Sequence, residues 1–152
     1  MEKISRRIAV RGIVANDDKL LLVRLKHTKI VPESIRLTWC LPGGGLWENE
    51  PILDGLTREM IEETGVKPVI GNLLYINQFN KDDRNHIEFF FHIINSQDYL
   101  NINLAKTTHG SNELEEIDFK DPKTIHIMPK FLKNENIFEH IAMNKPTKVF
   151  TL

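Results

Sequence analysis

The 152-residue chain contains a single cysteine, Cys40, so no disulfide can form within it. A small domain with one thiol is expected in a reducing compartment, and the cytoplasm is the expected location. Cys40 itself reads as a buried structural thiol. No excess of basic charge is present: twenty Lys and Arg stand against twenty-one Asp and Glu. General nucleic-acid binding and membrane-surface binding both require such an excess and are not expected. No apolar run approaches the roughly 20 residues of a membrane span, and the basic N-terminal stretch (MEKISRRIAV) lacks the apolar segment of a signal peptide. Internal repeats and low-complexity tracts are absent as well. What remains is 41% hydrophobic and 27% charged, an ordinary composition for one domain able to bury a core without disulfides.

The β-branched residues of Arg7–Ala15 predict a strand, and Asn16-Asp17-Asp18 a turn into a second strand, Lys19–Leu25. Residues 27–37 read as a loop, and Trp39–Leu46 (WCLPGGGL) as a short strand entering a glycine-rich loop. Asn49–Thr64 carries the strongest helical pattern. Asn49 is the expected N-cap, Pro51 suits the first turn and Gly65 the C-terminal stop. Ile52, Leu56 and Met60 recur at helical spacing, with Leu53 and Ile61 beside them. Strands follow near Val69–Phe79 and His86–Ile94, joined by a turn over Asn80–Asn85. A long loop at 95–112, a strand at Leu114–Phe119 and a helix at Pro129–Ala142 complete the expectation. Strands interleaved with helices indicate an α/β or α+β layered fold with a mixed sheet.

The helix over 49–64 holds Glu59, Glu62 and Glu63 at i, i+3 and i+4, so the three carboxylates share a face. Such like charges repel by a few tenths of a kcal/mol per pair. Their place at the helix C-terminus costs roughly 0.3–1 kcal/mol more for each anion. A helix selected for stability alone would place Lys or Arg there. A hard divalent cation with oxygen ligands would offset the repulsion. A solvated acidic face accounts equally well for the spacing taken alone, and Arg58 can relieve part of the repulsion through Glu62. Gly43-Gly44-Gly45, directly upstream, lets backbone approach a ligand closely.

These residues match a known pattern. Gly44 is followed by five residues to Glu50, then seven to Arg58-Glu59, then Met60, Ile61, Glu62-Glu63, Thr64, Gly65 and Val66. This resembles the Nudix box, with all nine defined positions filled and Met60 a mild variant at an aliphatic place. The lead-in WCLPGG at residues 39–44 is also similar to the family's usual approach to the box. The resemblance implies a single Nudix hydrolase domain over 1–152, built as an α/β/α sandwich with a mixed β-sheet. It implies Mg²⁺ or Mn²⁺ held principally by Glu59 and Glu63, with Glu62 a ligand or water-mediated contact and a backbone carbonyl from Gly43. Arg58 would orient the carboxylates, and Glu50 would stabilise the loop. The implied chemistry is attack of water on phosphorus in a pyrophosphate linkage of a small nucleotide-type substrate.

A further carboxylate outside the box is expected from the same resemblance, and Glu88 competes with Glu113, Glu115 and Glu116. The loop group is favoured, with Glu113 foremost, because a loop can close over substrate. Arg24, Lys26 and Arg36 are candidates to hold phosphates, together with backbone at Gly44 and Gly45. Trp39, Trp47, Tyr75, Phe79 and Phe89 are candidates to stack on a base. The proline that often follows the box in ADP-ribose hydrolases is missing from Lys81–Arg84, and the later tyrosine of dinucleoside polyphosphate hydrolases is missing too. The NADH-type and coenzyme A motifs are likewise absent. A nucleoside triphosphate, a nucleotide sugar or another diphosphate derivative remains. Two other readings stand beside hydrolysis: a non-catalytic nucleotide-binding Nudix domain, against which the intact acidic set speaks, and a diphosphate isomerase, for which Cys40 alone is poor support. The resemblance leaves a homodimer open.

Overall fold

The computed structural model describes residues 5–151, so the first four residues of the stretch read for a signal peptide lie outside it. In chain order the elements are β1 (Arg6–Ile13), β2 (Ala15–Asn16), β3 (Lys19–Leu25), α1 (Glu33–Arg36), β4 (Gly43–Gly45), α2 (Ile52–Thr64), β5 (Ile70–Lys81), β6 (Arg84–Ile93), α3 (Gly110–Glu113), β7 (Leu114–Lys120), α4 (Phe131–Asn134), α5 (Ile137–Ala142) and β8 (Lys148–Thr151). The five-stranded sheet runs β4-β1-β6-β5-β8 and the three-stranded sheet β2-β3-β7. Strand β1 pairs antiparallel to β4 and parallel to β6, so the larger sheet is mixed. The expected α/β/α sandwich with a mixed sheet is the architecture found.

Two apolar clusters form the layers. One joins Val10, Val14, Leu21 and Ile93 to Leu56 and Met60 of α2. The other joins Ile13, Leu20, Leu22, Tyr75 and Phe90 to Leu132 and Ile137 of the last two helices. In β3 neighbouring residues face opposite layers: Leu20 and Leu22 enter one cluster, Leu21 the other. Leu74 and Tyr75 break this alternation by entering the same cluster, and a register shift between Leu73 and Tyr75 explains this. Leu56 and Met60 are fully buried, so truncating either to Ala would cost about 2–5 kcal/mol and loosen the helix that carries the acidic residues.

Several expectations are corrected by backbone geometry. The first strand ends at Ile13, and Ala15–Asn16 belongs to the second sheet. Asn49 is not the N-cap. Its φ is +61° and Pro51 occupies the cap position, so α2 begins at Ile52. Leu53 and Ile61 lie on the exposed side of α2 rather than beside the apolar stripe. The turn between β5 and β6 shrinks to Asp82-Asp83, both with positive φ, as a two-residue hairpin turn requires. Within 27–37 a short helix, α1, forms, and 95–112 contains two 3₁₀ turns and the start of α3. Of Trp39–Leu46, only Gly43–Gly45 pairs as a strand, while Trp39 and Cys40 make isolated bridges. The helix expected over Pro129–Ala142 is two helices. Asn136 accepts the Glu139 N–H at 3.1 Å and starts the second. Strand β8 was not anticipated.

Candidate active site

Helix α2 is held against β1 and β4 with its acidic face toward the glycine loop. The N–H of Gly43 donates to Oε2 of Glu63 at 2.9 Å. Glu63 is only 3% exposed. Burial, followed in order by the Gly43 hydrogen bond and Arg11 acting the other way, and then by Glu59 and Glu113 adding to the rise, puts its pKa at about 8. Glu59 is also raised, chiefly by burial. The centre thus holds carboxyl groups whose charged forms are under-compensated.

Arg58 organises the rest. Its guanidinium donates to both oxygens of Glu50 at 2.7 and 2.9 Å, to Glu59 at 2.9 Å, to Glu62 at 3.2 Å and to the Gly45 carbonyl at 3.2 Å. The Trp47 ring covers it at 4.0 Å, and the Trp47 N–H closes the loop onto Glu50 at 2.9 Å. His109 meets Glu62 at 3.1 Å through Nδ1, and its backbone N–H donates to the Glu62 carbonyl at 3.0 Å.

Two glycines of the loop sit where a side chain would meet a neighbour. At Gly43, with φ +136°, a Cβ would run into the Val10 carbonyl oxygen. At Gly44 a Cβ would lie 2.7–2.8 Å from the Glu59 carboxylate. The donor set fits a hard divalent cation. It is all oxygen, and Glu59 Oε2, Glu62 Oε1 and Glu63 Oε1 each lack a hydrogen-bond partner among the described residues without being sealed from solvent. Arg58 holds Glu59 and Glu62 by their other oxygens, and among the described residues no three carboxyl, imidazole or thiol groups are gathered at metal distance.

Next to this centre lies a cavity of about 560 Å³ whose lining includes Arg7, Arg11, Phe79, His86, Glu88 and Phe90. Arg11 links the two. It pairs with Glu88 at 3.2 Å and donates to the carbonyls of Leu41 at 3.3 Å and Gly43 at 3.1 Å. Phe79 and His86, opposite each other on β5 and β6, stack with centroids 4.9 Å apart.

A family model described as the NUDIX domain matches residues 5–140. The chain belongs to the NUDIX family. An ADP-ribose pyrophosphatase of Methanocaldococcus jannaschii is 32% identical over 81 residues, which cover 53% of this chain and 45% of that protein. The match therefore spans about half the relative's length. The crystal structure of the MutT protein from Methanosarcina mazei Go1 aligns with a TM-score of 0.67 at 21% identity, covering 96% of this chain and all (100%) of that one. The solution structure of the E. coli ORF135 protein aligns with a TM-score of 0.69 at 18% identity, covering 94% and 95%. At these identities the structures share the NUDIX fold.

Of the residues expected at the NUDIX centre, Arg58, Glu59, Glu62, Glu63, Gly43, Gly44 and Gly45 come together. The Gly43 carbonyl, expected to face a metal, accepts from Arg11. Glu113 ends α3 close enough for its charge to act on Glu63. Glu88, 7% exposed, sits in the cavity wall. Glu116 is taken by Arg24 at 2.9 Å. Arg24, Lys26, Arg36 and Glu115 line a second hollow that adjoins the main cavity at Leu25 and His27. Among the aromatics, Phe79 lines the cavity, whereas Tyr75 is core and Trp47 covers Arg58. Trp39 is also core, and Phe89 packs on the α2 side. Arg7, Arg11 and His86 were missed. Arg11 carried a signal, since an arginine on the same strand face as the apolar Ala9 and Ile13 needs a partner there.

Proposed function

We propose that the protein is a divalent-metal-dependent hydrolase that cleaves a pyrophosphate bond in a small nucleoside-diphosphate-type substrate. The observation that carries this is the Glu63 carboxyl, buried on the Gly43 N–H beside Glu59 and Glu62, with its charged form awaiting a cation. Bound Mg²⁺ or Mn²⁺ would supply Lewis acidity and offset charge on the phosphate oxygens. Glu59, Glu62 and Glu63 would hold it through their free oxygens. Arg58 fixes two of those carboxylates and the Gly45 carbonyl, so their positions are set before substrate arrives. Arg11 ties the glycine loop to the cavity wall, and Gly44 and Gly45 leave backbone accessible to phosphate.

Glu113 is assigned as the acceptor of the proton from the attacking water. It has no ion-pair partner among the described residues, whereas Glu88 is engaged by Arg11. The cavity volume lies in the range of small-ligand sites, and the Phe79–His86 stack beside Arg7 suits a base and its phosphates. The single thiol supports a cytoplasmic location, and among the described residues no helix is long and apolar enough to cross a membrane.

The deciding experiment is a product-release screen over nucleoside triphosphates, nucleotide sugars and ADP-ribose, with Mg²⁺, Mn²⁺ or excess EDTA. Turnover that persists in EDTA overturns the metal assignment. Glu88→Gln and Glu113→Gln on the best substrate separate the two outer carboxylates: the larger loss of kcat identifies the proton acceptor. Metal-tight binding of nucleotides without turnover would favour the non-catalytic binding domain.

A further inference from the structure

A second hollow, of about 390 Å³, is walled by Arg24, Lys26, His27, Lys29, Arg36 and Glu115, with apolar residues between them. Four permanent cations face one lining carboxylate in a chain whose net charge is −1. Arg24 is answered by Glu116. Lys26, Lys29 and Arg36 have no carboxylate within ion-pair distance among the described residues. Scattered surface cations are normally just hydrated. Here they converge on a concavity, where low-dielectric walls focus the field and raise the local concentration of anions.

The place of this hollow gives it meaning. It shares Leu25 and His27 with the main cavity, so the two adjoin. Each is tied to the acidic centre by hydrogen bonds. The main cavity reaches it through Arg11, which holds the Gly43 carbonyl, while the Gly43 N–H holds Glu63. The basic hollow reaches it through Lys26. The Lys26 N–H donates to the Glu113 carbonyl at 2.9 Å, and its Nζ donates to the Ser111 carbonyl, in the same segment whose His109 touches Glu62. A substrate with its pyrophosphate at the acidic centre would find an aromatic-lined cavity for one arm and, in the adjoining hollow, cations without carboxylate partners for the other.

We propose that the basic hollow is an anion subsite that takes a phosphate on the far arm of a two-armed nucleoside pyrophosphate. This rests on the hydrolase reading and narrows its substrate class to pyrophosphates that carry a further phosphate on the far arm. The subsite is independent of Mg²⁺, since its donors are Lys26, Lys29 and Arg36.

ADP-ribose and ADP-ribose 1″-phosphate differ by one phosphate on the far ribose and form the test pair. Titrations of ¹⁵N-labelled full chain without divalent cation prevent turnover. Both compounds should shift the amides of Phe79 and His86. Only the phosphorylated one should also shift the amides of Lys26, Lys29 and Arg36, and it should bind about tenfold tighter at low salt, an advantage that shrinks as salt rises. Lys29→Glu should erase the advantage and leave ADP-ribose binding unchanged, and Lys29→Arg should keep it. Equal affinities, with shifts confined to the main cavity, would overturn the subsite and leave the hydrolase reading standing. No shift in either hollow, together with no turnover on any pyrophosphate in the presence of Mg²⁺, would remove both.

Discussion

The Gly43 N–H and the Glu63 carboxylate, twenty residues apart in sequence, meet at 2.9 Å and join the glycine loop to the last turn of α2. This one donor does not offset the loss of water around Glu63, whose pKa stays near 8. A carboxyl raised in the folded state is charged more readily in the unfolded state. Between about pH 4.5 and pH 8 the folded protein therefore binds more protons than the unfolded chain, and stability falls as pH rises.

Metal-free protein is accordingly expected to lose stability from pH 5 toward pH 8, by up to about 1.4 kcal/mol per pH unit from this group. Glu63→Gln, which cannot ionise, should flatten that slope. Saturating Mg²⁺ should stabilise the wild type by about 2.7 kcal/mol at a hundredfold excess over Kd, and the variant by less. Thermal melts at several pH values, with EDTA or Mg²⁺, measure both effects. An identical slope in the two proteins would mean that Glu63 is not the group responsible.

Gly44→Ala should separate site geometry from folding. The new Cβ meets the far end of the Glu59 side chain at 2.7 Å, which can swing aside, so the melting temperature should fall by no more than about 2–4 °C. Swinging aside takes Glu59 away from Arg58 and from its neighbours, and Mg²⁺ affinity and kcat should each drop by about tenfold or more. Calorimetric Mg²⁺ titration and turnover assays report the two losses. Unchanged metal affinity would exclude Glu59 from the metal set.

The local chemistry of the site was legible because it is contiguous. Glu59, Glu62 and Glu63 share a helix face, and the glycines precede it by a fixed spacing. Long-range partners were not legible. Nothing in the local pattern says that Arg11 reaches Glu88 seventy-seven positions away, or that Arg24 turns to Glu116 instead of the main cavity. Asn49 has the chemistry of a cap, yet its left-handed backbone hands that position to Pro51. The break between α4 and α5 was written locally, since Asn136 and Glu139 sit at cap and third-residue positions. A continuous apolar stripe from Phe131 to Ile141 masked it.

Cys40→Ser should retain activity within about tenfold, or 1.4 kcal/mol in the barrier. The thiol lines the main cavity, and its Sγ lies 3.8 Å from the Val23 carbonyl. Burial first, with the nearby Glu63 and Glu88 acting the same way against Arg11, raises its pKa, so it stays a protonated thiol at neutral pH and is a poor nucleophile. Steady-state kinetics on the folded variant decide the matter. Complete loss of turnover with metal binding intact would point to thiol chemistry and to the isomerase reading.

Arg58 is the position where a conservative change should be least tolerated. Its five hydrogen bonds run to Glu50, Glu59, Glu62 and the Gly45 carbonyl, from one planar group under the Trp47 ring. A lysine ammonium presents a single point of charge and cannot span these acceptors. Arg58→Lys should therefore lower kcat by about tenfold or more while destabilising the fold only modestly, by about 1 kcal/mol. Arg58→Ala leaves Glu50, Glu59 and Glu62 without their common partner, which should cost about 2–3 kcal/mol in the metal-free protein. Mg²⁺ can compensate at Glu59 and Glu62 but not at Glu50, so it should restore only part of the lost stability. Chemical denaturation of the three proteins with and without Mg²⁺ reads each of these differences, and full recovery of Arg58→Ala by Mg²⁺ would show that the Glu50 pair contributes nothing.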